Sequence, residues 1–515
     1  MRRDGRKRDN KKLKTYGKTA KLGALWGIAR SGVRYVLLIP VAAIMARLLS
    51  PTEFGIGAAA SFFLTLSGRV TELGLNASLV RIKQLRPEHS STVFVTSLVT
   101  GTMAWLALTL AAPSIGRFFR QPEVGDIIPI AALAFLITPL STVPSALLQR
   151  NFRYKANSVA DWADSLTGGI VGVVLAWMGF SYWSLVYAHI ASTSVNVGLK
   201  LYFTRWKPGF RVSLPALREL WSFGLGIQTK RLLQFGSANL DNFLIGRLIS
   251  ISALGLYDKA FNTTVRLQGL VNLGSGGSFR IFSIIHDDEE RFRRAYRKTL
   301  LTVCVVSVPI MAGCIVAAPQ LFEVMYGKRW LPSVPAFQIL CFATIAQLIS
   351  AHASQANEAR GQVWRQAANQ ALYVASIVVG VWIGSKWGIV GAAAGVLTAR
   401  LILSVMIQDL LRRAINATWR DMFEPAVPGM LTGCAVALVV VLAELIVHRV
   451  RPSATAFELL AVQTVVGGLV YVALIVFSPS ARVREVVYET LDDFAPAIAR
   501  RIYPESPQPS MPQAS

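Results

Sequence analysis

The side chains of this chain that could carry chemistry are charged groups inside long apolar segments. Arg30 and Arg34 interrupt the apolar stretch that begins near residue 22, and Lys230 and Arg231 interrupt a second stretch. On insertion scales a charged residue at the centre of a membrane helix costs about 2.5–3.5 kcal/mol, so such residues usually face a polar cavity. Guanidinium and ammonium groups bind phosphate oxygens through charge-assisted hydrogen bonds, so the chemistry that they predict is binding of an anion.

Two halves of the chain repeat, and the basic residues lie at matching positions in them. Arg47-Leu48-Leu49-Ser50, followed by Gly55, matches Arg247-Leu248-Ile249-Ser250, followed by Gly255, at an offset of 200 residues. At the same offset, the basic pair near position 30 corresponds to the pair near position 230. A repeated membrane unit with intramembrane charge is typical of secondary transporters.

We predict that six basic residues line a central cationic cavity and bind a pyrophosphate group. They are Arg30, Arg34, Arg69, Lys230, Arg231 and Arg266. The alternative is that each residue pairs with an acid and only holds helices together. The acids at hand are Glu72, Asp161, Asp164, Asp241 and Asp258. A cavity explains the whole set better, because the basic residues concentrate in the opening two helices of each half.

Glu72 and Asp241 are the candidates for ion coupling. Each lies in a charged helix, where a carboxylate can exchange a proton or Na+ during transport, although Glu72 is within one turn of Arg69 and can instead only neutralise it. Gly17-Lys18-Thr19 resembles the end of a phosphate-binding loop, but Lys12 stands where that motif needs its first glycine. We therefore expect no cofactor, and an ion gradient or the membrane potential as the driving force.

The composition places these residues in a multi-pass membrane protein. The mean hydropathy is +0.46 and 53% of the residues are hydrophobic, which is too apolar for a soluble chain of 515 residues. About 20 apolar residues cross a bilayer core of roughly 30 Å. We predict an all-α fold with about fourteen such helices, near 22–46, 54–80, 90–112, 125–148, 157–178, 181–203, 219–245, 252–274, 299–320, 333–356, 366–385, 388–411, 426–447 and 457–477.

Each repeat has six helices, an even number, so both copies begin and end on the same side of the membrane. We therefore predict two six-helix bundles related by a pseudo-two-fold axis, plus two extra C-terminal helices. The predicted regions are a basic cytoplasmic tail (1–21), an N-terminal lobe (22–204), a cytoplasmic linker (205–216), a C-terminal lobe (217–414), the two additional helices (415–477) and a cytoplasmic tail (478–515). Lysine and arginine concentrate in the segments so assigned to the cytoplasm, which places both termini there.

Other kinds of site are disfavoured by the residue types. The net charge of +25 comes largely from the cytoplasmic segments, and the basic N-terminal tail lacks a pattern of interleaved aromatic residues. We therefore expect membrane lipids, and no nucleic acid, as partners of that charge. The four cysteines and five histidines are dispersed without ligand spacing, which predicts neither disulfides nor a metal site.

Several longer motifs resemble those of a known family. The first half carries Ala46-Arg47-Leu48-Leu49-Ser50-Pro51-Thr52-Glu53-Phe54-Gly55, Glu72-Leu73-Gly74-Leu75 and Leu148-Gln149-Arg150. The second half carries Ser222-Phe223-Gly224, Leu240-Asp241-Asn242-Phe243-Leu244-Ile245-Gly246 and Ala253-Leu254-Gly255-Leu256-Tyr257. Over roughly residues 20–415 the chain resembles the polysaccharide-transporter branch of the multidrug/oligosaccharidyl-lipid/polysaccharide (MOP) flippase superfamily, the O-antigen (Wzx-type) and exopolysaccharide flippases.

This resemblance implies a bacterial inner-membrane protein of two six-helix bundles that opens alternately to the cytoplasm and the periplasm. Its substrate would be an oligosaccharide unit linked to undecaprenyl pyrophosphate, flipped for assembly of O-antigen or exopolysaccharide outside. Related flippases use two extra helices as a groove for the polyprenyl tail. The polysaccharide polymerase and the export machinery are further candidate partners.

Two other functions stay open. A drug or cation antiporter of the same superfamily would need an acidic site, whereas the predicted site is basic. A membrane O-antigen polymerase or ligase would be an enzyme with catalytic residues on a large external loop, whereas the longest external stretches, near 112–125 and 320–333, have only about a dozen residues each. We therefore predict a secondary transporter and no enzyme activity.

Overall fold

The structure, a computed structural model, describes residues 38–271, 282–285, 288–478 and 484. Within this part the chain is almost entirely helical. Eight helical segments are long and apolar enough to cross a membrane. This confirms a multi-span, helical membrane protein, while the count of fourteen crossings and the symmetry of two bundles stay predictions.

The helices of the described part follow each other with short connections. They are α1 Leu38–Leu48, α2 Pro51–Glu72, α3 Leu75–Arg81, α4 Pro87–Phe119, α5 Pro122–Ala131, α6 Ala134–Ile137, α7 Pro139–Arg150, α8 Tyr154–Trp177, α9 Trp183–Thr204, α10 Leu214–Leu248, α11 Ile251–Val271, α12 Glu289–Val316, α13 Ala318–Tyr326, α14 Val334–Ala359, α15 Val363–Gly384, α16 Gly388–Ala414, α17 Trp419–Phe423, α18 Val427–Val450 and α19 Ala456–Val476. Helices α2, α10 and α11 carry most of the predicted site residues, and none of the three is among the eight apolar spans.

The chain folds into two compact units. The first comprises Met1–Asn262 and Val374–Gly395, and the second comprises Thr263–Tyr373 and Val396–Ser515. In the first unit α10 packs against α2, α3 and α4. Part of its core is a cluster of buried side chains made by Leu75, Leu79, Val93, Phe94, Val143, Ala146 and Leu220. The lobe boundaries predicted from the sequence stay a prediction.

The repeated Arg-Leu-Leu-Ser and Arg-Leu-Ile-Ser segments each end at a helix start. Ser50 and Glu53 form a capping box on α2: Glu53 N donates to Ser50 Oγ at 3.3 Å, and Ser50 N donates to Glu53 Oε2 at 2.6 Å. Pro51 opens the helix, where its missing N–H costs no hydrogen bond. At the start of α11, Ser250 Oγ accepts from Ala253 N at 3.0 Å. The repeat therefore encodes two helix starts.

These two helix starts pack on each other through glycines. A Cβ atom on Gly55 would overlap the carbonyl oxygen of Ile251, and a Cβ atom on Gly255 would overlap the carbonyl oxygen of Pro51. Since Pro51 and Ile251 are related by the same offset as Gly55 and Gly255, the contact is reciprocal. Only a residue without a side chain allows backbones this close. We name these four residues the paired-glycine contact.

At the other end of α2 the chain turns sharply and packs on α10. Gly74 has a positive φ of 69°, and a Cβ atom on it would overlap the carbonyl oxygen of Gly224. Nearby, Ser78 Oγ donates to the carbonyl oxygen of Leu220 at 3.0 Å. We name these four residues the turn contact. Helix α10 thus runs antiparallel to α2 and α3 and is held near one end of them by the turn contact.

The second unit is built around close packing of α12 and α18. A Cβ atom on Gly429 of α18 would overlap the backbone of Cys304 on α12. On α12, Arg297 forms ion pairs with Asp421 at 3.0 Å and with Glu424 at 3.1 Å. These contacts fix the start of α18 to α12.

Arg150 caps the C-terminal end of α3. Its guanidinium donates to four carbonyl oxygens, those of Leu79 at 3.1 Å, Val80 at 3.2 Å, Ile82 at 2.5 Å and Lys83 at 3.0 Å. The last carbonyl groups of a helix have no partner within it, so a cation with several donors is well placed there.

Replacing Arg150 by glutamine should therefore lower stability by about 1.5–3 kcal/mol, since a charged donor is lost from four carbonyl oxygens, most of them partly buried. The measurement is the thermal midpoint of the detergent-solubilised protein. Arg153→Gln is the matched control, because Arg153 donates to one carbonyl oxygen, that of Phe203 at 2.6 Å. Equal midpoints for the two variants would contradict the capping role.

Candidate functional site

For three of the six predicted basic residues the structure does not describe the side chain. Arg30 and Arg34 precede residue 38, and the side chain of Lys230 is not among those described. Arg69 is exposed on α2, and Arg266 is half-buried on the part of α11 that belongs to the second unit. Binding of an anion by these five residues stays a prediction.

Arg231 forms an ion pair with Glu72 between α10 and α2. Arg231 Nη1 donates to Glu72 Oε2 at 2.6 Å, and the two side chains are 28% and 24% exposed. Beside them, Gln228 Nε2 donates to the carbonyl oxygen of Arg69 at 2.6 Å, and Gln228 is buried. The structure thus joins a predicted anion ligand to a predicted coupling acid. Their roles in transport stay predictions.

Asp241, the second predicted coupling acid, is almost completely buried. Its Oδ2 accepts from the hydroxyl of Tyr257 at 2.8 Å, and Tyr257 is also buried. This bond joins the Asp-Asn-x-Leu-Ile-Gly motif of α10 to the Ala-Leu-Gly-Leu-Tyr motif of α11. Further along α11, Lys259 Nζ lies 3.6 Å from the centre of the Phe54 ring, a cation–π contact. Both contacts tie α11 to its neighbours.

Phenylalanine rings lie between the Arg231–Glu72 pair and the paired-glycine contact. The ring centroid of Phe62 on α2 is 5.0 Å from that of Phe235 and 5.2 Å from that of Phe243, both on α10. Phe243 also stacks on Phe118 of α4 at 5.1 Å. Sequence reasoning missed this layer, because single phenylalanines in separate apolar segments give no spacing signal.

A buried histidine joins α4 to the start of α10. His89 Nε2 lies 3.1 Å from Glu219 Oε2, and Arg86 Nη2 donates to the same oxygen at 3.1 Å. These bonds lie on the same side of the Arg231–Glu72 pair as the turn contact. Sequence reasoning missed them too, because the histidine and its acid are 130 residues apart.

A cavity of about 760 Å³ lies where α4 ends and α5 begins. Arg117, Arg120 and Asp126 are among its lining residues. Of the predicted site residues that the structure describes, none lines it. The cavity is therefore separate from the Arg231–Glu72 pair.

Charged side chains paired between long helices of a multi-span helical protein are typical of membrane transporters. Residues 44–335 match the model of the polysaccharide biosynthesis protein family. The chain belongs to this family, which confirms the resemblance predicted from the sequence.

Relatives agree with that assignment, and a solved structure has a similar fold. Over 437 residues the chain is 22% identical to the lipopolysaccharide biosynthesis protein WzxC of Escherichia coli (strain K12), covering 81% of this chain and 87% of that protein. Over 327 residues it is 24% identical to the succinoglycan biosynthesis transport protein ExoT of Rhizobium meliloti (strain 1021), covering 63% and 66%. The fold is similar to that of the lipid II flippase MurJ in an inward closed conformation, with a TM-score of 0.63, 14% identity, and coverage of 93% of this chain and 99% of that one. The prediction of a transporter and no enzyme is confirmed by these relatives.

Proposed function

We propose that this protein flips oligosaccharide units linked to undecaprenyl pyrophosphate across the bacterial inner membrane, for assembly of exopolysaccharide or O-antigen. The observation that carries the proposal is the Arg231–Glu72 ion pair, because an anion can replace the carboxylate at the guanidinium. The family of the chain supports a polysaccharide precursor as the substrate class. The names of its relatives, which concern lipopolysaccharide and succinoglycan, support it as well.

In this proposal the pyrophosphate competes with Glu72 for Arg231. Pyrophosphate carries several negative charges and acceptor oxygens, and a planar guanidinium binds phosphate oxygens in pairs, so the exchange favours the substrate. Once displaced, Glu72 no longer ties α2 to α10. The other basic residues that the sequence predicts as ligands of the pyrophosphate are Arg30, Arg34, Arg69, Lys230 and Arg266.

Alternating access then requires the contacts that close the two ends of α2 and α10 to separate in turn. The paired-glycine contact closes the end that we assign to the periplasm. The turn contact and the His89–Glu219 bond close the end that we assign to the cytoplasm. A carrier that rocks between two states keeps one closure while it opens the other.

The proposed driving force is an ion gradient or the membrane potential, with no cofactor. Glu72 can take up a proton or Na+ when the pyrophosphate frees it from Arg231, which links substrate binding to ion binding. Asp241 is the second proposed coupling acid. A change in its protonation alters its hydrogen bond with Tyr257 and hence the contact of α10 with α11.

Deletion of the protein tests the proposed function in cells. We expect loss of surface polysaccharide together with accumulation of the lipid-linked oligosaccharide in the cytoplasmic leaflet, because the unit is made but not moved. The measurement is the amount of lipid-linked oligosaccharide in membrane extracts, with the complemented strain as control. Loss of surface polysaccharide without such accumulation would contradict a flippase and favour an enzyme that makes the precursor.

The proposal also places both termini in the cytoplasm, because the lysine and arginine bias is strong. Reporter fusions test this. Fusions expected to report the periplasm are those at Gln121, Lys328 and Arg451, and fusions expected to report the cytoplasm are those at Arg153, Trp206 and Arg291. Inverted reports at several of these sites would refute the proposed topology.

A further inference from the structure

A groove in the second unit lies between α12, α18 and α19. Its volume is about 250 Å³, and most of its lining is apolar, with Pro309, Ile310, Val440 and Leu460 among the residues. Gln463 also lines it and is only 2% exposed. A buried amide in an apolar groove needs hydrogen-bond partners for both its nitrogen and its oxygen.

Gln463 belongs to a polar cluster around Glu444 of α18. Gln463 Nε2 donates to Glu444 Oε2 at 3.0 Å, and Gln320 Nε2 of α13 donates to Glu444 Oε1 at 2.8 Å. In the part of the chain that the structure describes, Oε1 of each glutamine is buried without a hydrogen-bond partner. An unpaired buried acceptor costs about 1–3 kcal/mol, so this cluster lacks donors.

The cluster lies near the connected ends of α18 and α19. Glu444 is six residues before the end of α18 at Val450, and Gln463 is seven residues after the start of α19 at Ala456. At 1.5 Å per residue both lie about 10 Å from the connection between the helices. The 24 residues of α18 span about 36 Å, more than the roughly 30 Å of a hydrocarbon core. With the helix centred, the cluster is thus about 6 Å inside the core, roughly one helical turn. Of the cluster, Gln463 lines the groove, so an ammonium that follows its acyl chains one turn into the groove reaches the cluster at Gln463.

We propose that this groove binds a phospholipid whose headgroup ends in a primary ammonium, as in phosphatidylethanolamine. A primary ammonium has one positive charge and three N–H donors, and the cluster offers a carboxylate and two amide oxygens. The acyl chains match the apolar lining. Glu444 repels a headgroup that is only anionic, and a quaternary ammonium has no N–H to donate. A polyprenyl tail is the alternative occupant of the groove, but it has no hydrogen-bond donor for the glutamine oxygens.

A series of lipids tests this with the unaltered protein. The purified full-length protein is depleted of lipid in detergent. It is then titrated with phosphatidylethanolamine, its N-methyl and N,N-dimethyl forms, phosphatidylcholine and phosphatidylglycerol, all with the same acyl chains. Native mass spectrometry counts the bound lipid. Each methyl group removes one donor, so we expect affinity to fall stepwise, with phosphatidylethanolamine about tenfold above phosphatidylcholine.

Equal binding of phosphatidylethanolamine and phosphatidylcholine would overturn the proposal, and so would a preference for phosphatidylglycerol or for undecaprenyl phosphate. Glu444→Gln keeps the shape of the side chain and should remove the preference. Glu458→Gln is the matched control on α19, since Glu458 is half-exposed and lies 3.7 Å from Arg451; it should leave the preference unchanged. If Glu444→Gln is too unstable to purify, Gln463→Leu removes one acceptor and should reduce the preference. An unchanged preference in either variant contradicts the site.

Discussion

Replacing Gly255 by valine should abolish transport, because the paired-glycine contact has no room for a side chain. A Cβ atom there overlaps the carbonyl oxygen of Pro51 and lies 2.8 Å from the backbone nitrogen of Gly55. Overpacking costs about 1–3 kcal/mol, and the upper end applies where the obstacle is backbone rather than a flexible side chain. The starts of α2 and α11 then cannot close, so the carrier is held open at the end that we assign to the periplasm. Gly55→Val should have the same effect because the contact is reciprocal.

Gly68→Val is the control for this prediction. Gly68 lies on α2, as Gly55 does, and a Cβ atom on it would meet nothing within 4 Å. Export of surface polysaccharide is measured at matched expression. The reaction of a Phe62→Cys variant with a membrane-impermeant maleimide is measured beside it and should be faster when Gly255→Val is present. Wild-type export by Gly255→Val, at a normal amount of protein, would show that export does not require the starts of α2 and α11 to pack together.

Replacing Arg231 by glutamine should also abolish export, because it removes the guanidinium that we propose binds the pyrophosphate. Truncating one partner of a buried charged contact costs about 2–5 kcal/mol in binding. The same loss is expected if Arg231 only pairs with Glu72, so a single variant does not separate the two roles. The double variant Glu72→Gln/Arg231→Gln does, since it replaces the ion pair by two neutral amides of similar size.

If Arg231 binds the substrate, Arg231→Gln stays inactive with or without Glu72→Gln. If the pair is only structural, the double variant regains export, and the proposed role of Arg231 is wrong. Glu72→Gln by itself should remove the response of transport to an imposed pH or Na+ gradient in vesicles. Normal transport with an unchanged response would leave Glu72 as a structural residue.

Much of the helical architecture can be predicted from the sequence, because long apolar segments leave few alternatives in a membrane. The Ser-Pro-Thr-Glu segment is readable as a capping box with proline at the first position, and the structure has that box at Ser50 and Glu53. The charged helices α2, α10 and α11 are harder to predict as membrane spans. Their length is sufficient, but they carry charged side chains that make contacts between these helices, as Arg231 does with Glu72 and Asp241 with Tyr257.

The contacts within the candidate site are less predictable, because they join residues that are far apart in the chain. The repeat makes Gly55 and Gly255 equivalent, but equivalence by itself does not predict that they touch. The sequence offers Arg69 as the partner of Glu72 by helical spacing, whereas the structure gives Arg231, 159 residues away. Pairing of this kind depends on the antiparallel packing of α10 on α2, for which no local pattern exists.

Movement of the substrate itself is the most direct test of the proposed function. The purified protein is reconstituted into liposomes that carry a fluorescent oligosaccharide linked to undecaprenyl pyrophosphate, and a membrane-impermeant quencher reports the fraction in the outer leaflet. We predict that the protein exchanges the lipid between leaflets, and that Arg231→Gln and Gly255→Val reduce the exchange to the level of protein-free liposomes. Exchange no faster than in protein-free liposomes, by a protein that moves a cationic dye under an imposed ion gradient, would contradict a flippase and favour a drug antiporter.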